Sequence, residues 1–253
     1  MAQGNQAMVN GHTLYYEQTG MGQPLVLLHG GLNTIQSSFS KQIPVFAQQY
    51  RVTAIEQVGH GHSPDIPQPF SYRQMAEDTA ELLRQLGIAG ADVVGWSDGG
   101  ILALLLARWH PMLVRRLVIS GANVRAEGME AQTRQELRDI PAEQLAQDLP
   151  SVWRETYEQV SPDGAGHWPV VVGKIRDLWL TPVILTTADL AAIQAPVLVV
   201  SGDRDVITLD HTVEIYRSLP RAQLCILPGT QHGTFQSAAD WLNPIILAFL
   251  NAT

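Results

Sequence analysis

The sequence predicts an α/β fold: a mostly parallel central sheet of about eight strands flanked by helices, with a helical segment inserted after the sixth strand. Three observations carry this prediction. Apolar runs of strand length recur, and most are continuous rather than alternating, which implies burial on both faces, as in a parallel sheet covered by helices. Helical stretches separate them, giving the alternation of βαβ units. That alternation fails once, over residues 122–190, which carry no strand-like run and have prolines at 141, 150, 162, 169 and 182.

Taken in order, Met8-Val9 and Thr13–Glu17 read as a hairpin, because Asn10-Gly11 suits the positive φ angles of a two-residue turn. The continuous apolar runs are Pro24–Leu28, Arg51–Ile55, Asp92–Val94, Leu113–Ile119, Pro196–Val200 and Gln223–Leu227. Ser71–Leu86 repeats apolar residues at three- and four-residue spacings before Gly87, a C-cap residue. Asp98–Trp109 is helical and ends at His110-Pro111, where proline cannot continue a helix. Asp210–Leu219 and Thr234–Leu250 complete the helices. Residues 1–121 and 191–253 therefore form one core, and 122–190 a helical insertion.

The chain has 253 residues, a length that one α/β domain accommodates at about 250 residues. Its net charge of −8, with no Lys/Arg cluster, argues against nucleic acid and anionic membranes as partners. Eleven acidic and six basic residues place −5 of that charge within 122–190, a mild bias toward neutral or cationic ligands. Cys225 is the only cysteine, so no intrachain disulfide forms, and its apolar run predicts a buried, inert thiol. Met1–Gln6 has neither the basic nor the apolar region of a signal peptide, and the longest strongly apolar run is Ile101–Ala107. The expectation is a cytoplasmic protein, monomer or homodimer, acting on a small molecule.

The chemistry concentrates in Gly95-Trp96-Ser97-Asp98-Gly99. A lone G-x-S-x-G is a weak signal, and a serine N-cap would occupy the same place. Here the serine follows an apolar strand directly and precedes a helix, an arrangement that forces a sharp turn and lifts its hydroxyl clear of the sheet. A serine hydroxyl needs a base, and His232, in the loop after the last strand, is in position to supply it. The base needs an orienting carboxylate. Asp203 and Asp205 both follow the 196–200 strand; Asp205 is preferred, with Asp203 shaping the turn. An oxyanion needs preorganised backbone donors. These are the amide of Asp98 and one from His29-Gly30-Gly31-Leu32, with Gly31 preferred and Leu32 the alternative. His29 is read as holding that loop.

These residues resemble the α/β-hydrolase fold family over nearly the whole chain. The carriers are His29-Gly30-Gly31, Gly59–Ser63, Gly95–Gly100, Gly202–Asp205 and Pro228–His232. The order Ser97, Asp205, His232 is the one expected of that family, and its Gly-x-x-Asp turn maps the acid onto Asp205. The resemblance implies a helical cap at 122–190 roofing the site, no cofactor, no metal, and a place nearest the esterases, lactonases and carbon–carbon hydrolases. Ser97 separates the chain from the branches with an aspartate nucleophile. One departure is Glu56-Gln57-Val58 after the 51–55 strand, where an Asp and then an aromatic or Arg are usual; Glu56 either alters loop anchoring or stands near the site.

The expected function is hydrolysis of a carboxylic ester or lactone of a small, largely apolar substrate through an acyl-enzyme on Ser97. Rival readings on the same residues are carbon–carbon hydrolysis, perhydrolysis, a small-molecule receptor and a non-enzymatic interaction protein. Leu32, Trp96, Trp168 and Trp179 are the expected substrate-binding residues. His60-x-His62 is read as loop, since no carboxylate–histidine continuation follows to complete a metal site, and His167 as structural.

Overall fold

Asn10 and Gly11, both at positive φ (49° and 85°), close a hairpin between β1 (Gln3–Val9) and β2 (His12–Thr19). In this computed structural model residues 3–252 are described; Met1, Ala2 and Thr253, including the first two residues of the Met1–Gln6 segment, lie outside the described residues. The apolar runs become β3 (Gln23–Leu28), β4 (Tyr50–Glu56), β5 (Ala91–Trp96), β6 (Val114–Ser120), β7 (Val197–Gly202) and β8 (Ala222–Leu227). The sheet has eight strands in the order β1-β2-β4-β3-β5-β6-β7-β8. From β4 to β8 neighbours are parallel, while β2 meets both β1 and β4 antiparallel.

Continuous apolarity tracks burial in the central strands: every residue of β5 and β7 is buried. β8 departs from this. It is an edge strand with β7 as its only neighbour, so Gln223 and Leu224 are exposed and Cys225 is half-buried. The expectation of a fully buried thiol is corrected accordingly; partial burial still pushes its pKa up.

The helices are α1 (Ile35–Phe39), α2 (Ile43–Phe46), α3 (Tyr72–Gln85), α4 (Asp98–Trp109), α5 (Ala131–Asp139), α6 (Ala142–Asp148), α7 (Ser151–Val160), α8 (Trp168–Trp179), α9 (Thr187–Ala191), α10 (Leu209–Ser218), α11 (Thr234–Ser237) and α12 (Ala239–Leu250). One face of the sheet packs against α3, α4 and α10, the other against α1, α2 and α12. α4 is buried on all sides from Asp98 to Ala107, which explains why its sequence is apolar all round rather than striped.

The helix expected over 234–250 is two helices broken at Ala238. The Lys41 ammonium donates to the carbonyl of Gln236 (2.7 Å) and the Gln42 side-chain amide to that of Phe235 (2.8 Å), so long-range partners satisfy carbonyls at the break. Between β6 and β7 the chain forms α5–α9, with only isolated bridges at Arg125–Val183 and Met129–Ile207. This insertion is tied to the core by ions. Asp65, in the loop after β4, accepts from Lys174 on both oxygens (2.8 and 2.7 Å) and pairs with His167 (2.7 Å). No helix among the described residues is long and apolar enough to cross a membrane.

Glu56 anchors loops rather than serving the site. One oxygen accepts from the Ile35 amide (3.0 Å); the other takes the His62 amide (2.7 Å) and faces His62 Nδ1 (2.9 Å). His29 holds its loop as expected, accepting the Gln57 amide on Nε2 (3.0 Å). His60 packs against it, ring centroids 4.9 Å apart. Burial lowers the pKa of both imidazoles from 6.5, that of His60 to about 3. Both stay neutral in the fold, whereas the unfolded chain protonates them below about 6.5. Their contribution is complete above about pH 6.5 and is lost progressively as the pH falls, for His60 down to about 3. Thermal unfolding should therefore show Tm dropping from pH 6.5 to 4, with a shallower drop in His60→Asn.

Candidate active site

The candidate nucleophile, base, acid and oxyanion loop lie where parallel strands end at their carboxyl edge, the place where open α/β sheets gather ligands. Gly31 follows β3, Ser97 joins β5 to α4, Asp205 follows β7 and His232 follows β8. Ser97 itself has φ 54° and ψ −120°, a conformation that L-residues rarely hold. The turn is tight enough that a Cβ on Gly95 would strike the Gly99 carbonyl, and one on Gly99 the Leu28 carbonyl. Glycine at both positions lets the first turn of α4 press against β3 and β5.

Ser97 Oγ lies 2.9 Å from His232 Nε2, and His232 Nδ1 lies 2.7 Å from Asp205 Oδ1. The same Asp205 oxygen accepts the Ile207 amide at 2.9 Å, which fixes the carboxylate's orientation. Asp203 is exposed and engages the Leu227 carbonyl through its backbone (3.1 Å), so it shapes the turn and stays away from His232. The Trp96 indole N–H donates to the His232 carbonyl (2.8 Å), tying the histidine loop to the turn that carries Ser97. The arrangement has a hydroxyl, an imidazole in hydrogen-bond reach of it, and a buried carboxylate on the other ring nitrogen, the set of groups that can activate a hydroxyl.

Ser97 opens onto a cavity of about 730 Å³. Gly31, Trp96, Asp98, Trp179 and His232 all border it. Two expected substrate contacts do not. Leu32, at φ 59°, turns its side chain into the core (5% exposed). Trp168 is 2% exposed; its ring lies 5.4 Å from that of Tyr157, tilted by 49°, and its N–H donates to the Ala146 carbonyl, so it is packing within the insertion. Packing claimed these side chains because each sits on the inward face of its own segment.

The wall that sequence reading missed is a stripe running from α6 through its cap Leu149 into α7: Leu145, Leu149, Val152, Trp153 and Thr156. Their spacing is helical and continues across Pro150, and that periodicity was the available signal. Met129, Val206 and Ile207 add apolar surface from the ends of the insertion and the β7 loop.

Asp98 is the one carboxylate among the described lining residues, which include no Lys or Arg. It accepts from the Tyr72 hydroxyl (2.9 Å) and from the Trp179 indole on both oxygens (3.1 Å each). Burial pushes its pKa up from 3.8 to about 6, opposed by those hydrogen bonds, which leaves the carboxylate as its main form at about pH 7.5. Labelling of Ser97 by a fluorophosphonate should slow by about 10³–10⁴-fold in Asp205→Asn and stay within about threefold in Asp203→Asn, read as the rate of covalent modification.

This geometry coincides with a family match. Residues 25–245 match the model of the alpha/beta hydrolase family, and the chain belongs to that family. It is similar to the human serine hydrolase BPHL, 29% identical over 96% of this chain and 84% of that one. It is also similar to the pimeloyl-[acyl-carrier protein] methyl ester esterase of Chromobacterium violaceum, 30% identical over 88% of this chain and 92% of that one. Among solved structures it resembles a meta-cleavage product hydrolase from Pseudomonas fluorescens, with a TM-score of 0.84 and 22% identity over 98% and 97% of the two chains, a likeness of fold.

Proposed function

We propose that this protein is a serine hydrolase that cleaves a carboxylic ester or lactone of a small, largely apolar, uncharged substrate through an acyl-enzyme on Ser97. The observation that carries the reading is the Ser97–His232–Asp205 chain at 2.9 and 2.7 Å, opening into a mostly apolar cavity. The esterase and serine hydrolase among the similar proteins support it.

In this reading His232 Nε2 takes the Ser97 proton as Oγ bonds to the carbonyl carbon. The carbonyl oxygen becomes an oxyanion facing the amides of Gly31 and Asp98. Gly31 borders the cavity and Leu32 does not, which favours Gly31 as the second donor. The bond to the leaving oxygen breaks, and that oxygen takes the proton from His232. Water then adds to the acyl carbon, giving a proton to His232, which returns it to Ser97 as the acid leaves. Asp205 stabilises the imidazolium at each stage. The insertion acts as the cap, with α6 and α7 providing an apolar roof.

Charge sets the substrate class. An ionised Asp98 beside Ser97, with no cationic lining residue to offset it, disfavours an acyl group ending in a carboxylate. On p-nitrophenyl butyrate, Ser97→Ala should lose about 10⁴–10⁶ in kcat with Tm unchanged; near-normal turnover would refute the assignment. The wild type should favour that ester over the mono-p-nitrophenyl ester of succinic acid by more than about tenfold in kcat/KM at pH 7.5, since one like-charge contact costs upward of about 1.4 kcal/mol.

A further inference from the structure

The geometry points to Trp179 as a positioning residue: its indole N–H clasps the Asp98 carboxylate and thereby holds the Asp98 amide in place for the oxyanion, so that turnover depends on the seating of α8. This rests on the reading of Ser97 as nucleophile and of the Asp98 amide as an oxyanion donor.

An electrostatic conflict sits beside Ser97. The residue after Ser97 contributes an amide that should favour negative charge, yet its own side chain is a carboxylate that opposes it. A buried anion so close to a developing oxyanion is tolerable only if the carboxylate is turned aside and its charge is met by donors. Two side chains do this, and they come from different parts of the chain. Tyr72, buried on α3, donates to one oxygen at 2.9 Å. Trp179, the last residue of α8, faces both oxygens at 3.1 Å. The carboxylate thus joins the core, the nucleophile turn and the insertion at one point.

Gly31 occupies the same crossing. A Cβ there would overlap Asp98 Oδ2 and come within 3.0 Å of the Trp179 indole. Both loops proposed to carry oxyanion donors are therefore in contact with the Trp179–Asp98 pair. Midway along α8 Lys174 holds Asp65, and His167, just before the helix, pairs with the same carboxylate, so α8 is also braced against the loop after β4. The α6 and α7 wall has no comparable tie to the nucleophile turn among the described residues; its lining residues contribute apolar surface. Trp179 is distinct from them in carrying a polar bond to the residue next to Ser97.

Trp179→Phe removes the N–H and keeps an aromatic ring. The expected result with p-nitrophenyl butyrate is a fall in kcat of about tenfold or more, a KM within about threefold of wild type, and an equal slowing of fluorophosphonate labelling. Asp98→Ala, which keeps the amide but removes the clasped group, should lower kcat similarly, and the double variant should lose little beyond either single one. A kcat within twofold of wild type in Trp179→Phe, or a change confined to KM, would reduce Trp179 to a wall and overturn the inference. So would additive losses in the double variant, or a faster Asp98→Ala enzyme. Should Trp179→Phe fail to fold by circular dichroism, Asp98→Ala alone decides the matter. A Ser97→Ala enzyme that still turned over would instead remove the functional reading beneath it, so the two failures are distinguishable.

Discussion

A serine held at φ 54° between a strand and a helix costs about 1–3 kcal/mol of backbone strain, and much of the structure here is arranged around sustaining it. The strain persists because the surroundings over-determine it. β5 is buried along its whole length between β3 and β6, and α4 is buried along nearly all of its own. The Ser97 amide donates to the Ser120 carbonyl at 2.7 Å, and the Gly100 and Ile101 amides return to the Ser97 carbonyl. With both flanking elements fixed, the chain has one route between them, and that route projects the hydroxyl beyond the sheet edge. The glycines at 95 and 99 allow it, because the neighbouring carbonyls occupy the space a side chain would need.

The remaining parts of the site are brought to that hydroxyl by ties among loops. Trp96 bonds the histidine loop, Ile207 orients the carboxylate, and Glu56 uses both oxygens to fasten the start of α1 and the His62 loop. These are buried polar contacts in which an unmet partner would cost about 1–3 kcal/mol, so they narrow the positions each loop can adopt. The insertion is fastened differently, through Lys174 and His167 on Asp65 and Trp179 on Asp98, with apolar helices in between. The cavity follows from this division: polar contacts concentrate at its floor, and its roof is largely hydrophobic.

The strands, the hairpin turn, the mostly parallel pairing and the strand-free stretch at 122–190 were legible because each rests on local signals. These are apolar run length, a positive-φ dipeptide and proline placement. Signals of the same kind placed Ser97 and His232 at strand ends. Local signals failed where a residue's fate depended on a partner far along the chain. The continuous helix drawn over 234–250 breaks where Lys41 and Gln42 supply donors from nearly two hundred residues away. Cys225 looked buried because its run is apolar, but β8 has one neighbour instead of two.

By itself the sequence determined the α/β class through apolar run length and helical spacing, carried the family resemblance in a few short motifs, and offered the candidate nucleophile, base and acid in short loops. Those features depend on backbone preference and on residue types whose chemistry is intrinsic. Only the tertiary structure set Asp205 rather than Asp203 against His232, turned Leu32 and Trp168 inward, and set Trp179 against Asp98. An aromatic side chain in a helical insertion can face its own neighbours or the cavity with the same periodicity. Which of the two it does depends on how the helix lies against the sheet, a relation among residues distant in sequence that no local pattern encodes.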